Sequence, residues 1–286
     1  MSNTQNLRGP SEPIAERYDH HAALEIEVGS RLLERTSFKR KVPENILDLG
    51  CGTGAASASL KQQFRKARVI GMDRSAAMLT RLRRRSGILK PLRAVCGDLV
   101  ALPFATRCTD MLFSNLAVYW CADPVTMFSE FRRVLRPDGM LLFSTLGPAT
   151  LGELRAARGC IDARVEWPEF PDLMEVGDAL MSAGFREPVM DMERVVLSYP
   201  DVESMLMELE VTGNSRLIGG WKHVKSAASA LKEVWEPKTP DKKFPLSFEI
   251  VYGVAFGPQD GQPIKTREGD VATFPVEALR HKRKVP

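Results

Sequence analysis

The sequence predicts an α/β fold wound on both faces of a mostly parallel sheet, and two observations carry that prediction. From residue 46 onward, short apolar runs alternate with stretches of helical periodicity, the pattern of helices crossing over a buried parallel sheet. The first run ends in a glycine cluster, Gly50, Gly52 and Gly54, directly before a helix, where a tight strand-to-helix turn is expected. The 286 residues are 44% hydrophobic and 27% charged. That balance is ordinary for a globular chain and excludes disorder, a collagen-like repeat or a coiled coil as the main description.

Residues 14–35 place Ile14, Tyr18, Ala22, Leu24, Val28 and Leu32 at roughly helical spacing, which predicts one or two amphipathic helices. Ile46–Leu49 reads as a buried strand, followed by a helix from about Ala55 to Phe64. Arg68–Met72 is a second strand ending at Asp73; Ser75 then caps a helix through Arg85 with Met78, Leu79 and Leu82 on its apolar face. Residues 92–96 and 110–114 read as the third and fourth strands. Asp123 and Pro124 start a helix, acceptor at the cap and proline at the first helical position, that ends near Arg136–Gly139. Met140–Leu146 is the fifth strand, after which the alternation breaks into an inserted helix and loop over 148–171. Asp172 and Glu175 have capping-box spacing and open a helix that Gly184 stops. Residues 188–199 alternate as a strand, 201–236 read as mainly helical, and Leu246–Phe256 is the last strand. The expected organisation is a single domain over 1–286 with a Rossmann-like core at 45–147 and a helical lid at 1–44. Cap insertions fall at 148–171 and 201–243, with the closing helix and strands at 172–200 and 244–257.

Forty basic against 36 acidic residues leave a net charge of +4, too slight to imply nucleic acid but suited to an acidic partner. Residues 81–93 hold Arg81, Arg83, Arg84, Arg85, Lys90 and Arg93 with no acid. This patch reads as a solvated helix face and loop, since no aromatic residue is interleaved for stacking on bases. No apolar run approaches the ~18 residues of a membrane span, and Met1–Pro13 lacks the order of a signal peptide. Five scattered cysteines without a CxxC pair predict reduced thiols and a soluble, cytoplasmic protein. The histidines, at 20, 21, 223 and 281, have no HxxxH or HxH spacing, so no metal site is expected.

The string Asp48-Leu-Gly50-Cys-Gly52-Thr-Gly54 joins a strand to a helix. Its glycines let a ligand approach the backbone, and the helix N-terminus offers free N–H groups to a carboxylate or phosphate. The third glycine comes two residues after the second, not three, so the dinucleotide fingerprint does not apply. Asp48 at the loop start is suited to the cationic amino group of an amino-acid ligand. Asp73, 19 residues after Gly54, is placed to accept both ribose hydroxyls, and Asp98 in Gly97-Asp98-Leu99 to accept from an adenine amine. Singly these are turns, a helix cap and a surface acid; in this order on successive strand ends they describe S-adenosylmethionine.

The stretch 46–146 resembles class I, seven-stranded S-adenosylmethionine-dependent methyltransferases: ILDLGCGTG their first motif, GMDRS the second, GDL the third, SNLAVYW the post-fourth-strand motif and LRPDGMLLFSTL the fifth strand. The resemblance implies that Asp48, Gly50 and Gly52 hold the methionine end, Asp73 the ribose, and Asp98 with Leu99 the adenine, with Asn115 beside the cofactor and Cys51, Gly54 and Arg74 also among the cofactor-binding residues.

Nothing in the sequence suggests a general base. An ionised carboxylate needs none, since its attack on a sulfonium methyl is an SN2 step accelerated by positioning and removal of water. Nucleic-acid amino-methylation is disfavoured because Asn115-Leu-Ala-Val lacks the prolines of that motif. The insertion Leu146–Arg155 closely resembles the malonyl-acyl-carrier-protein O-methyltransferase family of biotin synthesis. So do Glu16–Leu24, Asp172–Met192, Val211–Arg216 and Phe248–Gly253. One departure is Glu25, where this resemblance leads to glutamine.

The resemblance implies methyl transfer onto the free carboxylate of malonyl-acyl carrier protein or malonyl-CoA, without metal, nucleic acid or membrane. It implies that Arg155 pairs with the malonyl carboxylate through its planar fork and that Tyr18 donates from the lid. The acidic carrier would dock on Arg216, Lys222 and Lys225, or on Arg81–Arg85. Three other readings stay open. A small-molecule methyltransferase acting on a quinone or sterol-like carbon would show an aromatic-rich acceptor pocket. An arginine-hydroxylating complex I assembly factor would carry an Arg-rich presequence. A silent cofactor-binding module would not need the intact Asp48–Gly54 loop.

Overall fold

A computed structural model of the chain describes residues 12–88, 91–157, 169–218, 231, 243–259, 264–266 and 269–271. The strands β1 (Asn45–Leu49), β2 (Arg68–Asp73), β3 (Arg93–Cys96), β4 (Thr109–Ser114), β5 (Leu135–Leu146), β6 (Arg186–Tyr199) and β7 (Phe244–Phe256) form one sheet. Its order is β3-β2-β1-β4-β5-β7-β6, and β7 alone runs antiparallel to its neighbours. The order reverses between β1 and β4, so the crevice beyond their carboxyl ends is the switch point where such sheets bind ligands.

The sheet is covered on both faces, which explains why β1 is a continuous apolar run, Ile46, Leu47 and Leu49 all being buried. One face packs against α2 (Ala23–Glu34), α3 (Ala55–Gln63), α4 (Ala76–Arg85), α6 (Gly152–Ala156) and α8 (Val202–Thr212), the other against α5 (Pro124–Val134) and α7 (Leu173–Ser182). Ahead of them runs α1 (Glu12–His21). The caps are those the sequence predicts. Ser75 accepts from the Met78 N–H at 3.3 Å, Asp123 from the Thr126 N–H at 3.0 Å, and Asp172 and Glu175 form a reciprocal capping box at 2.8 Å each way.

Three segments differ from expectation. β5 begins at Leu135 and absorbs Arg136–Gly139, because Pro137 disfavours helix at Arg136 and the fully buried Leu135 pairs with Thr109. In the span expected as mainly helical, α8 stops at Gly213, φ +87°, and a 3-10 turn Asn214–Ile218 follows; most of the remainder lies outside the described residues. A short hairpin, β8 (Ile264–Thr266) with β9 (Gly269–Val271), has no counterpart in the sequence reading. Among the described residues, no helix is long and apolar enough to cross a membrane.

Candidate active site

Gly50 and Cys51 donate their N–H groups to the Met72 carbonyl at 2.8 and 3.0 Å, closing the glycine loop against β2. Gly50 has φ +72°, and a Cβ there would lie 2.2 Å from that of Ala117, so this glycine is needed for packing. Gly52, φ +53°, differs: a Cβ there would meet no protein atom within 4 Å, so it borders open space that a ligand's chain could occupy. Gly54 is the left-handed residue from which α3 starts. Cys51 is buried, its thiol raised well above the ordinary value by loss of water and then by Asp48 and Asp73, so it packs rather than reacts.

Asp48 is closed off beneath the loop, where its carboxylate takes the Ser57 hydroxyl at 2.5 Å. Burial, followed by the charge of Asp73, pushes it up to about 7 against the opposing Ser57 bond. At 1% exposure, Asp48 supports the loop from inside. Asp73 accepts from the N–H groups of Gly52 at 3.0 Å and Ser75 at 2.8 Å; burial nevertheless raises its pKa. Asp98 is exposed at the next strand end, with Arg74 3.9 Å away, and Leu99 beside it is half-buried.

The N-terminal helices close over this end of the sheet. Asn115 donates to the Glu25 carbonyl at 2.7 Å and accepts from Ser144 at 2.8 Å, so its amide pins α2 to the ends of β4 and β5. Asp19 pairs with Arg85 and accepts from Thr53 of the glycine loop at 2.6 Å. Arg81 lies 3.7 Å from Glu16, and Arg84 lies 3.8 Å from Glu16 and 3.9 Å from Glu12. The basic run 81–85 is thus not a simple solvated face: acids of α1 lie beside Arg81, Arg84 and Arg85, while Arg83 and Arg84 remain exposed. Tyr18, on the same helix, is raised well above its ordinary pKa, first by loss of water and then by Glu25, Tyr119, Asp73 and Asp19.

A polar chain links this lid to the cap. Asn214, buried, accepts from the Tyr119 hydroxyl at 2.7 Å and donates to Glu25 Oε1 at 3.3 Å. Tyr119 meets Phe170 edge-on at 6.1 Å between centroids, and Phe170 lines a recess of about 440 Å³ with Arg155, Glu169 and Glu175. Glu153 anchors α6 there by accepting from the Ser247 N–H at 3.0 Å and its hydroxyl at 2.5 Å. Thr150 donates to the Glu249 carbonyl at 3.2 Å.

With this geometry established, known proteins supply the comparison. Residues 47–143 match the methyltransferase-domain family. The chain is 39% identical over 262 residues to the malonyl-acyl-carrier-protein O-methyltransferase of Methylovorus sp., covering 88% of each chain. It is 37% identical over 285 residues to that of Halorhodospira halophila, covering 97% of this chain and 96% of that one. The chain belongs to the malonyl-acyl-carrier-protein O-methyltransferase family. Among solved structures it resembles the YcgJ protein of Bacillus subtilis, at TM-score 0.57 and 14% identity over 81% of this chain and 98% of that one. It also resembles the (4+2)-cyclase SpnF, at TM-score 0.54 and 20% identity over 82% and 81%. These likenesses show the class I methyltransferase fold; the presence of a cyclase on it shows that the fold alone names no reaction.

Set in this family, the structure adds residues that sequence reasoning missed. Asn214 stood inside the matching string Val211–Arg216 without a role, and Tyr119 inside SNLAVYW. Glu208, bound by the Tyr199 hydroxyl at 2.8 Å, carried no signal at all. Of the expected docking cations, Arg216 lies exposed on the 3-10 turn, whereas Lys222 and Lys225 fall outside the described residues. The loop fits S-adenosylmethionine on its own geometry, since the open space at Gly52 lies beside an acid that ends β2.

Proposed function

We propose that the protein transfers a methyl group from S-adenosylmethionine to the free carboxylate of a malonyl thioester on acyl carrier protein, the ester-forming step that starts biotin synthesis. The observation that carries this reading is one end of the sheet holding both a ligand-ready glycine loop and, across Tyr119 and Phe170, a recess containing Arg155. Identity of 37–39% to malonyl-acyl-carrier-protein O-methyltransferases over most of each chain supports it. We place the enzyme in the cytoplasm, in keeping with the four unbridged cysteines among the described residues.

S-adenosylmethionine, when bound, supplies an electrophilic methyl on a sulfonium. The backbone at Gly52 and the acids Asp73 and Asp98 would hold it, Asp73 at the ribose hydroxyls and Asp98 with Leu99 at the adenine. Arg155 takes one oxygen of the malonyl carboxylate through its planar fork, leaving the other to attack. Glu169 and Glu175 line the same recess, and Glu175 is already engaged by the Asp172 N–H. Methylation removes the acceptor's charge and with it the Arg155 pair, which favours release of the ester. Tyr18 donates from the lid, and α1 and α2 exclude water from the transfer. The carrier docks on the cap around Arg216.

Incubation with labelled S-adenosylmethionine and malonyl-acyl carrier protein, beside malonyl-CoA and free malonate, tests the reading. A base-labile methyl ester is expected on the carrier-bound malonyl group. Its absence from every malonyl species would overturn the assignment.

A further inference from the structure

The site contains one polar atom that the proposed function does not use. Glu25 reaches from α2 toward the cap, where Oε1 accepts from Asn214 at 3.3 Å. Oε2 is buried and, among the described residues, has no hydrogen-bond partner. Its backbone carbonyl is held by Asn115 and Asn214 is held by Tyr119, so the side chain is fixed at both ends. A buried oxygen left unmet is costly, a deficit that a bound group at this position would remove.

A glutamine here would offer one acceptor and one donor. A carboxyl offers the same pair only when it carries a proton. We propose that Glu25 is a neutral, proton-bearing carboxyl that donates a hydrogen bond from Oε2 to the carboxylate of the methyl acceptor. This rests on the function proposed above and assigns Glu25 to recognition of the acceptor's charge.

The surroundings support the acid form. Tyr18 from α1, Tyr119 from the turn after β4, Tyr199 from β6 and Glu208 from α8 surround Glu25, with Asn214 from the 3-10 turn donating to it. Burial first, and then the charge of Glu208, push its carboxyl up to about 7, while hydrogen bonding from its own backbone and from Asn214 opposes the rise. A carboxylic acid facing a carboxylate makes a short, charge-assisted bond. An ionised Glu25 would instead repel the acceptor. The same donor steadies one acceptor oxygen and leaves the other free to attack; the methyl ester that results is a weaker acceptor and leaves.

The sign follows directly. Below pH 7 Glu25 holds its proton and the acceptor binds; above it the proton is lost, and the acceptor KM rises roughly tenfold for each further pH unit. The test measures KM and kcat for malonyl-acyl carrier protein between pH 6 and 8.5, and the cofactor Kd by calorimetry, in the wild type, Glu25→Gln and Glu25→Ala. Glu25→Gln, isosteric and always a donor, is expected to keep the low KM and make it flat with pH. Glu25→Ala is expected to raise KM about tenfold or more at every pH, with the cofactor Kd unchanged. The inference fails if Glu25→Gln retains the wild-type pH slope. It also fails if the pH dependence sits in the cofactor Kd and the acceptor KM is level, which would assign Glu25 to the cofactor. A wild type that forms no ester at any pH overturns the proposed function as well, a result distinct from either.

Discussion

Two pairs of acids withdrawn from solvent lie at the carboxyl end of the sheet, and they are built differently. Asp48 and Asp73 lie under the glycine loop and are met by donors of the chain itself: the Ser57 hydroxyl and the N–H groups of Gly52 and Ser75. Glu25 and Glu208 lie between lid and cap, and Glu25 keeps an oxygen that no described residue meets. The difference teaches how labour divides in the molecule. On the function proposed here, the cofactor side has its acids met by the chain's own donors, whereas the acceptor side would be completed by the acceptor.

The largest expected effect tests the prebuilt half. Gly50→Ala combines a left-handed φ with a Cβ 2.2 Å from that of Ala117. It is expected to cost about 3 kcal/mol of stability and to abolish measurable cofactor binding. Gly52→Ala adds a Cβ that meets no protein atom, so about 1–2 kcal/mol of backbone strain is its whole folding cost. Cofactor affinity should still fall on the order of 100-fold, read by calorimetry beside thermal melting. Unchanged affinity in Gly52→Ala would show that the open space there is not the cofactor's, and the comparison would lose its first half.

Arg155→Ala tests the other half. Removing one partner of a desolvated ion pair costs roughly 2–5 kcal/mol, so kcat/KM for the malonyl thioester should fall about 30- to 5,000-fold. Cofactor Kd should stay at the wild-type value. Arg155→Lys keeps the charge but not the fork and should recover only part of the loss. Full turnover in Arg155→Ala would remove the carboxylate clamp from this recess.

The two halves also differed in how far the sequence disclosed them. The glycine loop, Asp73 and the caps at Ser75, Asp123 and Asp172 were legible because each depends on contacts within a few residues or on one βαβ unit. The lid–cap chain was not. Glu25 and Asn214 are 189 residues apart, and only the packing of α2 against the turn after α8 brings them together. Local pattern likewise did not disclose the partner of Asp48: its place at the loop start suggested a ligand contact, and the fold adds a bond from the Ser57 hydroxyl. The run Arg81–Arg85 read as solvated because the acids that engage it lie on another helix.

A smaller effect probes the boundary between the halves. Asp19 ties α1 to both Arg85 and the loop residue Thr53, and its pair with Arg85 is about one-third exposed. Exposed pairs contribute about 0–1 kcal/mol and weaken with salt. Asp19→Asn should therefore weaken cofactor binding only about 2- to 5-fold at low salt and converge with the wild type at high salt. A loss that persists undiminished at high salt would place Asp19 in direct contact with the ligand.

The smallest effect on activity belongs to Asp172→Ala. The capping box opens α7, whose buried Val176, Ala179 and Leu180 pack on the face of the sheet shared with α5, away from the lid. Losing the cap should cost about 1 kcal/mol, a drop in Tm of about 2–4 °C, with kcat/KM unchanged. Yet Glu175, the other member of the box, also lines the Arg155 recess. If capping serves only the scaffold, Asp172→Ala and wild type share one kcat/KM once both are assayed well below their melting points. If instead the cap keeps the Glu175 carboxylate from competing for Arg155, the variant shows a raised acceptor KM, and Glu175→Gln in the same background restores it. That outcome would move the edge of the acceptor site onto α7, a helix that otherwise only closes the fold.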